Sequence, residues 1–205
     1  MRRNETLLEL LLELQVLDRV PRMGYVLRGV PHPESITEHS WHVAFLVWAL
    51  GSRIPGVDLL RALEIALVHD LAEVRTGDLP RVAKRYFARG TQEAAEREVI
   101  DELLGPLGDR TAELMAEYRA AETAEARLVK ACDKLQLMVK VAAYERWGAG
   151  WLAEFWDNPD NFPDLGFDAV RELFEELART HGGRDGPPAP RAGADPDADP
   201  NEPPE

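Results

Sequence analysis

The chain has 205 residues, 45% hydrophobic and 30% charged. That is the balance of a globular chain, long enough for one domain with a sizeable core and a pocket. The formal net charge of −13 argues against a binder of nucleic-acid polymers, which would carry a basic face, but leaves room for a small phosphate-bearing substrate held by a metal and a few local cations.

Asn4 is placed to cap a first helix whose leucines, Leu7, Leu8, Leu11, Leu14 and Leu17, form an apolar stripe at steps of three and four. Two arginines precede this leucine run, as in a secretory leader. Glu9 and Glu13 interrupt it and no small-residue cleavage site follows, so no leader is expected. Residues 18–34 read as irregular, broken by Pro21, Gly24, Gly29, Pro31 and Pro33. Ser35-Ile36-Thr37-Glu38 has the form of a capping box and opens a helix to about Arg53. That helix is apolar around so much of its surface that a central position is expected. Pro55-Gly56 breaks the chain, Asp58 can cap a helix over 59–75, and Gly77 and Pro80 stand where a helix should stop. Residues 81–90 are basic, with Arg81, Lys84, Arg85 and Arg89. Thr91 is expected to cap a helix to about Leu104, and further helices are expected at 109–120, 123–147, 150–156 and 167–180. No alternating strand pattern appears, so the fold class is all-α.

From Gly182 the composition changes. The last 24 residues hold seven prolines, six acidic residues against two arginines, and few bulky apolar side chains. The chain is therefore divided into a helical domain at 1–181 and a disordered tail at 182–205. No uncharged apolar run reaches the ~18 residues of a membrane span. Cys132 is the single cysteine, which excludes an internal disulfide and a Cys-rich zinc site and fits a reducing compartment, with the cytoplasm as the expected location.

Chemistry concentrates around His69-Asp70, which ends the apolar run Ala66-Leu67-Val68. A carboxylate there is costly to bury unless paired or metal-bound. Glu73 follows at helical spacing and Asp78 just past the helix end. His39 lies at the start of the preceding helix, with His42 one turn on as a supporting group. Asp133 interrupts the apolar stretch from Leu128 to Val139. Lys130, Lys134 or Arg127 could partner it, or a metal could. His32 and His181 read as solvent-exposed.

Taken together, Leu17-Asp18-Arg19-Val20-Pro21-Arg22-Met23-Gly24-Tyr25, Pro33-Glu34-Ser35-Ile36-Thr37-Glu38-His39-Ser40, His69-Asp70-Leu71-Ala72-Glu73, Thr76-Gly77-Asp78-Leu79-Pro80 and Asp133-Lys134-Leu135 resemble the HD-domain phosphohydrolases. Within them the match is to the 5'-deoxynucleotidase branch, over residues 8–150. The resemblance implies an HD-domain helical bundle with a central metal site. It implies His39, His69, Asp70 and Asp133 as metal ligands, Glu73 as the acid–base residue, and Asp78 as a holder of substrate, water or a second ion. Glu73, Asp78 and the Leu79 carbonyl are the candidates for that second ion. Arg19 matches an arginine that meets the substrate phosphate. Val20 stands where bacterial members carry a tryptophan that helps select deoxyribose. Lys84 is a further candidate substrate contact.

The implied reaction is hydrolysis of a nucleoside 5'-monophosphate to nucleoside and phosphate, by a homodimer. The mixed nitrogen and oxygen ligands admit Mn²⁺, Co²⁺, Mg²⁺, Fe²⁺ or Zn²⁺. The alternatives are hydrolysis of other nucleotides or phosphate esters, and a non-catalytic metal-binding regulatory protein. A di-iron oxygenase would need further histidines, and residues 71–132 contain none.

Overall fold

The capping box forms as expected. Ser35 Oγ accepts from the Glu38 amide and the Glu38 carboxylate accepts from the Ser35 amide at 2.7 Å, which starts helix α3 (Ile36–Gly51). This is a computed structural model, and it describes residues 3–181, 183 and 185–189. Most of the tail expected from 182 onward falls outside the described residues. Among these residues the fold is all-α, and no helix is long and apolar enough to cross a membrane.

Three helices build the centre. Helix α3 buries Ile36, His39, Val43, Val47 and Leu50 along one face. Helix α4 (Leu59–Val68) is capped by Asp58, which accepts from the Arg61 amide, and buries Ala62, Ile65 and Ala66. Helix α9 (Ala124–Arg146), capped by Thr123, buries Leu128, Val129, Ala131, Cys132, Leu135, Met138 and Val141. The three meet closely at Gly51, where an added Cβ would stand 3.1 Å from Leu59 Cδ1 and 3.2 Å from Leu128 Cδ2. Helices α8 (Arg110–Ala120), α10 (Ala153–Asp157) and α11 (Asp168–Thr180) join this core through Leu114, Trp156, Val170 and Phe174. A second cluster gathers Leu10, Leu17, Ile36, Ala72, Val74 and Met115 with Ile100, Leu103 and Leu104 of helix α7 (Thr91–Leu104).

Several boundaries differ from expectation. The helix expected over 59–75 stops at Val68. The backbone then tightens into turns closed by Leu71 N–H to Val68 O and Glu73 N–H to Asp70 O, before the one-turn helix α5 (Glu73–Thr76). Gly77, at φ +70°, ends it as expected. Thr91 is the first residue of α7 and not its cap, a place taken by Gly90 in the left-handed conformation. The segment 18–34 is not wholly irregular. A 3₁₀ turn at Gln15–Arg19 leads through an extended stretch to the one-turn helix α2 (Met23–Val26).

Two apolar faces also differ. Helix α1 (Arg3–Leu14) turns Leu10 inward, continued by Leu17, and leaves Leu7, Leu8 and Leu11 exposed. Leucines surround that helix, so its sequence does not single out one face; packing against α7 and the turn after it does. Helix α3 is central on one side only, because Trp41, Phe45 and Trp48 are 61%, 50% and 54% exposed.

Candidate metal centre

Four stretches of chain converge where α3, α4 and α9 face one another. His39 comes from the first turn of α3, His69 and Asp70 from the end of α4, and Asp133 from the middle of α9. The stretch before α2 is tied to the start of α3: Pro21 pairs with Ser35, Arg22 N–H donates to Glu34 O at 2.9 Å, and Ile36 N–H donates to Val20 O at 2.9 Å. This pairing brings Arg22 over the same centre.

The donors are close. His39, His69 and Asp70 each offer one ligand atom within 4.8 Å of one another. Asp70 Oδ2 lies 3.3 Å from His69 Nε2 and 3.5 Å from His39 Nε2, and Asp133 Oδ1 lies 3.2 Å from His39 Nε2. Both imidazoles are fully or almost fully buried. The Nδ1 atom of His69 stands 2.8 Å from Ala66 O, which can only accept. Its Nδ1 therefore carries the hydrogen, and Nε2 has the lone pair in the neutral ring. Nε2 of His69 and Nε2 of His39 stand 3.4 Å apart. With both rings neutral, nitrogen lone pairs facing at that distance and ringed by two carboxylates suit a cation between them, a place that a proton on His69 takes when no metal is there. The residues present thus fit a divalent metal held by two imidazoles and two carboxylates.

The electrostatics agree. Burial disfavours a charged His69, but Asp70 and Asp133 outweigh burial and hold it up at about 9. Burial would raise Asp70, yet His69, Arg22 and His39 keep it well below the usual carboxylate range. Lys134, His39 and Arg22 do the same for buried Asp133. Arg22 is the other cation of the centre, with Nη1 3.2 Å from Asp70 Oδ2 and 3.6 Å from Asp78 Oδ1, and Nη2 4.0 Å from Asp133 Oδ1. Asp78 also accepts from the Met23 amide, which ties the loop after α5 to α2.

Glu73 stands apart from these pairs. Its Oε2 is buried with no hydrogen-bond partner. Burial, then Asp70 and Asp78, push it up to about 10, so it holds a proton at neutral pH. A cavity of about 810 Å³ opens over the centre. His69, Asp70, Glu73, Asp78 and Asp133 line it, together with the apolar or aromatic Tyr25, Leu137 and Phe155 and with Leu79, Lys84 and Tyr118. Lys84 belongs to helix α6 (Arg81–Lys84).

Two expected substrate contacts lie away from the cavity. Arg19 ends the 3₁₀ turn with its side chain exposed, and Val20 packs on the second apolar cluster; neither lines the cavity. Arg22, three residues on, does. His42 turns away, with Nδ1 2.7 Å from Glu38 O and its side chain 41% exposed. His32 and His181 are exposed, as expected. The residues that sequence reasoning missed are Arg22 and a buried polar group behind His39, made of Glu34, Gln136 and Lys140. Gln136 carried a usable signal, as a second polar residue one turn from Asp133 in an apolar helix.

The family model for the HD domain matches residues 14–157. The chain belongs to the HD-domain family. Among relatives of this HD-domain protein, the 5'-deoxynucleotidase HDDC2 of Bos taurus is 33% identical over 156 residues, covering 74% of this chain and 75% of that one. Its human counterpart is 32% identical over 158 residues, covering 75% and 76%. Among solved structures, a conserved hypothetical protein from Pyrococcus furiosus superposes with a TM-score of 0.74 at 37% identity, covering 84% of this HD-domain chain and 99% of its own.

Proposed function

We propose that this HD-domain protein is a metal-dependent nucleotide phosphohydrolase, acting as a 5'-deoxynucleotidase on nucleoside 5'-monophosphates. The observation that carries the reading is the convergence of His39, His69 and Asp70 ligand atoms within 4.8 Å of one another, with Asp133 Oδ1 3.2 Å from His39 Nε2, beside a cavity of nucleotide size. The names of the relatives support the substrate class. A bound divalent cation supplies Lewis-acid chemistry, polarising the phosphoryl group and making water a better nucleophile at neutral pH.

The chain's own groups do the rest. Glu73, whose carboxyl is raised in the metal-free fold by burial and by Asp70 and Asp78, lines the cavity and is placed to exchange a proton with the attacking water or the leaving 5'-oxygen. Arg22 takes the phosphate-binding role expected of Arg19. With the charge of Asp70 and Asp133 met by the metal, its planar guanidinium is free to pair with two phosphate oxygens. Asp78 holds Arg22 and the start of α2 in place. The apolar or aromatic lining of Tyr25, Leu137 and Phe155 suits a nucleoside, and Lys84 a second anionic contact.

The test is phosphate release by the purified protein from 5'- and 3'-nucleotides, ribo and deoxy, mono- and triphosphate, with Mn²⁺, Co²⁺, Mg²⁺, Fe²⁺ and Zn²⁺ in turn. The expected result is release from deoxynucleoside 5'-monophosphates and little from 3'-nucleotides. Release of triphosphate from a nucleoside triphosphate would move the substrate class, and no release under any condition would sink the enzyme reading.

We also propose a cytoplasmic homodimer. The exposed stripe of Trp41, Phe45 and Trp48, with ring centroids 5.7 and 5.6 Å apart, is the apolar surface that supports it. Light scattering is expected to give twice the chain mass, and Phe45→Glu to halve that mass while the far-UV circular dichroism stays unchanged. An unchanged mass for the variant would remove this face from the interface.

A further inference from the structure

Behind His39 lies a buried polar chain to which no metal-ligating or catalytic role has been given. Gln136 sits on α9, one turn after Asp133, and is 3% exposed. Its Oε1 is 2.7 Å from His39 Nδ1, and its Nε2 donates to the two oxygens of Glu34 at 2.9 and 3.2 Å. The Glu34 side chain is 1% exposed, and Lys140 Nζ, one turn further along α9, stands 3.0 Å from its Oε2. The Glu34 amide donates to the Tyr144 hydroxyl at 2.7 Å, which anchors this residue from the backbone as well.

Donor and acceptor roles along this chain are forced. A carboxylate paired with an ammonium only accepts, so the NH₂ of Gln136 must face Glu34. The Gln136 carbonyl oxygen must then face His39, whose Nδ1 must carry a hydrogen and donate it. A neutral imidazole with hydrogen on Nδ1 has its lone pair on Nε2, the atom that faces His69, Asp70 and Asp133. Reversing the amide would place two acceptors against each other at Glu34 and two donors at His39 Nδ1–H. The orientation of one buried glutamine therefore decides whether His39 can ligate.

We propose that Glu34, acting through Gln136 and neutralised by Lys140, is a positioning group that locks His39 in its Nδ1–H tautomer and aims the Nε2 lone pair into the metal centre. This rests on the metal reading of the site. A purely architectural role for the same ion pair would tie the start of α3 to α9 and affect stability without selecting a tautomer.

The test is Co²⁺ binding to the metal-free protein, read by calorimetry and by the visible absorption of the bound ion. Glu34→Gln keeps the shape but lets the Gln136 amide turn over. Its Co²⁺ dissociation constant is expected to rise ~10–100-fold, the usual effect of losing a partner behind a ligating histidine. The swap Glu34→Gln with Gln136→Glu puts the acceptor-only group directly on His39 Nδ1 and the amide behind it. It is expected to recover most of the lost affinity and the wild-type absorption band. An architectural role gives no reason for a second substitution in a buried network to restore binding. Gln136→Leu, checked for native circular dichroism, is the second single variant and is expected to lose affinity to the same degree.

Affinity within about twofold of wild type in either folded single variant would overturn the proposal, as would a double variant that binds no better than Glu34→Gln. If the wild-type protein bound no Co²⁺, the metal reading would fall and this inference with it; wild-type binding with indifferent variants would sink the inference alone.

Discussion

Glu73→Gln is expected to lower phosphate release from a nucleoside 5'-monophosphate by ~10²–10⁴-fold, the range for loss of a positioned acid–base group. The substitution keeps the shape and hydrogen-bonding reach of the side chain but removes its ability to exchange a proton. Metal binding should survive, since His39, His69, Asp70 and Asp133 are untouched. Retention of more than about a tenth of the wild-type rate would place the proton transfer elsewhere.

The same variant gives an independent readout in the metal-free protein. Burial, Asp70 and Asp78 raise Glu73 from 4.5 to about 10 in the folded state. The sign follows from linkage: a raised value contributes stability fully present below the unfolded value, which is lost as pH rises through the folded one. Metal-free wild type should therefore lose stability relative to Glu73→Gln as pH climbs from about 4.5 toward 10. Thermal melts of the two proteins across that window should diverge, with the variant the more stable at the alkaline end.

His69→Ala is expected to remove stoichiometric metal binding and with it all phosphate release, because it takes away one of the two nitrogens that converge at 3.4 Å. The wild-type protein carries a pH signature of the same site. In the metal-free state Asp70 and Asp133, working against burial, hold His69 at about 9, above its ordinary value of 6.5. A metal must displace that proton, so the apparent affinity should rise ~tenfold per pH unit from 7 toward 9 and then level off. Proton linkage adds stability to the metal-free fold below about 6.5 that is lost as pH rises through about 9. Calorimetry in buffers of different ionisation enthalpy should count about one proton released per ion near pH 7.5. A flat affinity profile across pH 7–9 would show that His69 is not protonated before the metal arrives.

Much of the fold was written in capping residues. Ser35, Asp58 and Thr123 each accept from a backbone N–H at the start of the helix they open, as their chemistry requires. The break after Val68 had no such sign. Leu71, Ala72 and Glu73 are good helix formers, and the tightening there is imposed by how Ala72 and Val74 pack against the second apolar cluster. His69, Asp70 and Asp133 stood out as polar residues at or inside apolar runs, and His39 as a histidine at the start of a helix; the structure brings the four close to one another. Arg19 and Arg22 could not be separated by eye. Both lie in an irregular segment, and only the pairing of Arg22 N–H with Glu34 O turns the second toward the centre and leaves the first outside. Glu34 stayed hidden for a different reason: its role depends on Gln136 and Lys140, about a hundred residues on, which no spacing rule connects to it.

The order of the ligands along the chain has a consequence for biosynthesis. His39 leaves the ribosome nearly a hundred residues ahead of Asp133. At 5–20 residues per second that gap lasts about 5–20 s, during which α3 and α4 must wait for α9 to complete the core between them. Until then two imidazoles and one carboxylate have no scaffold to hold them at bonding distance. An ion met early could only chelate a loose chain. On the proposed ligand set, metal loading is expected to follow folding, and a nascent chain stalled before residue 133 would carry most of its metal-binding chemistry with no centre to place it in.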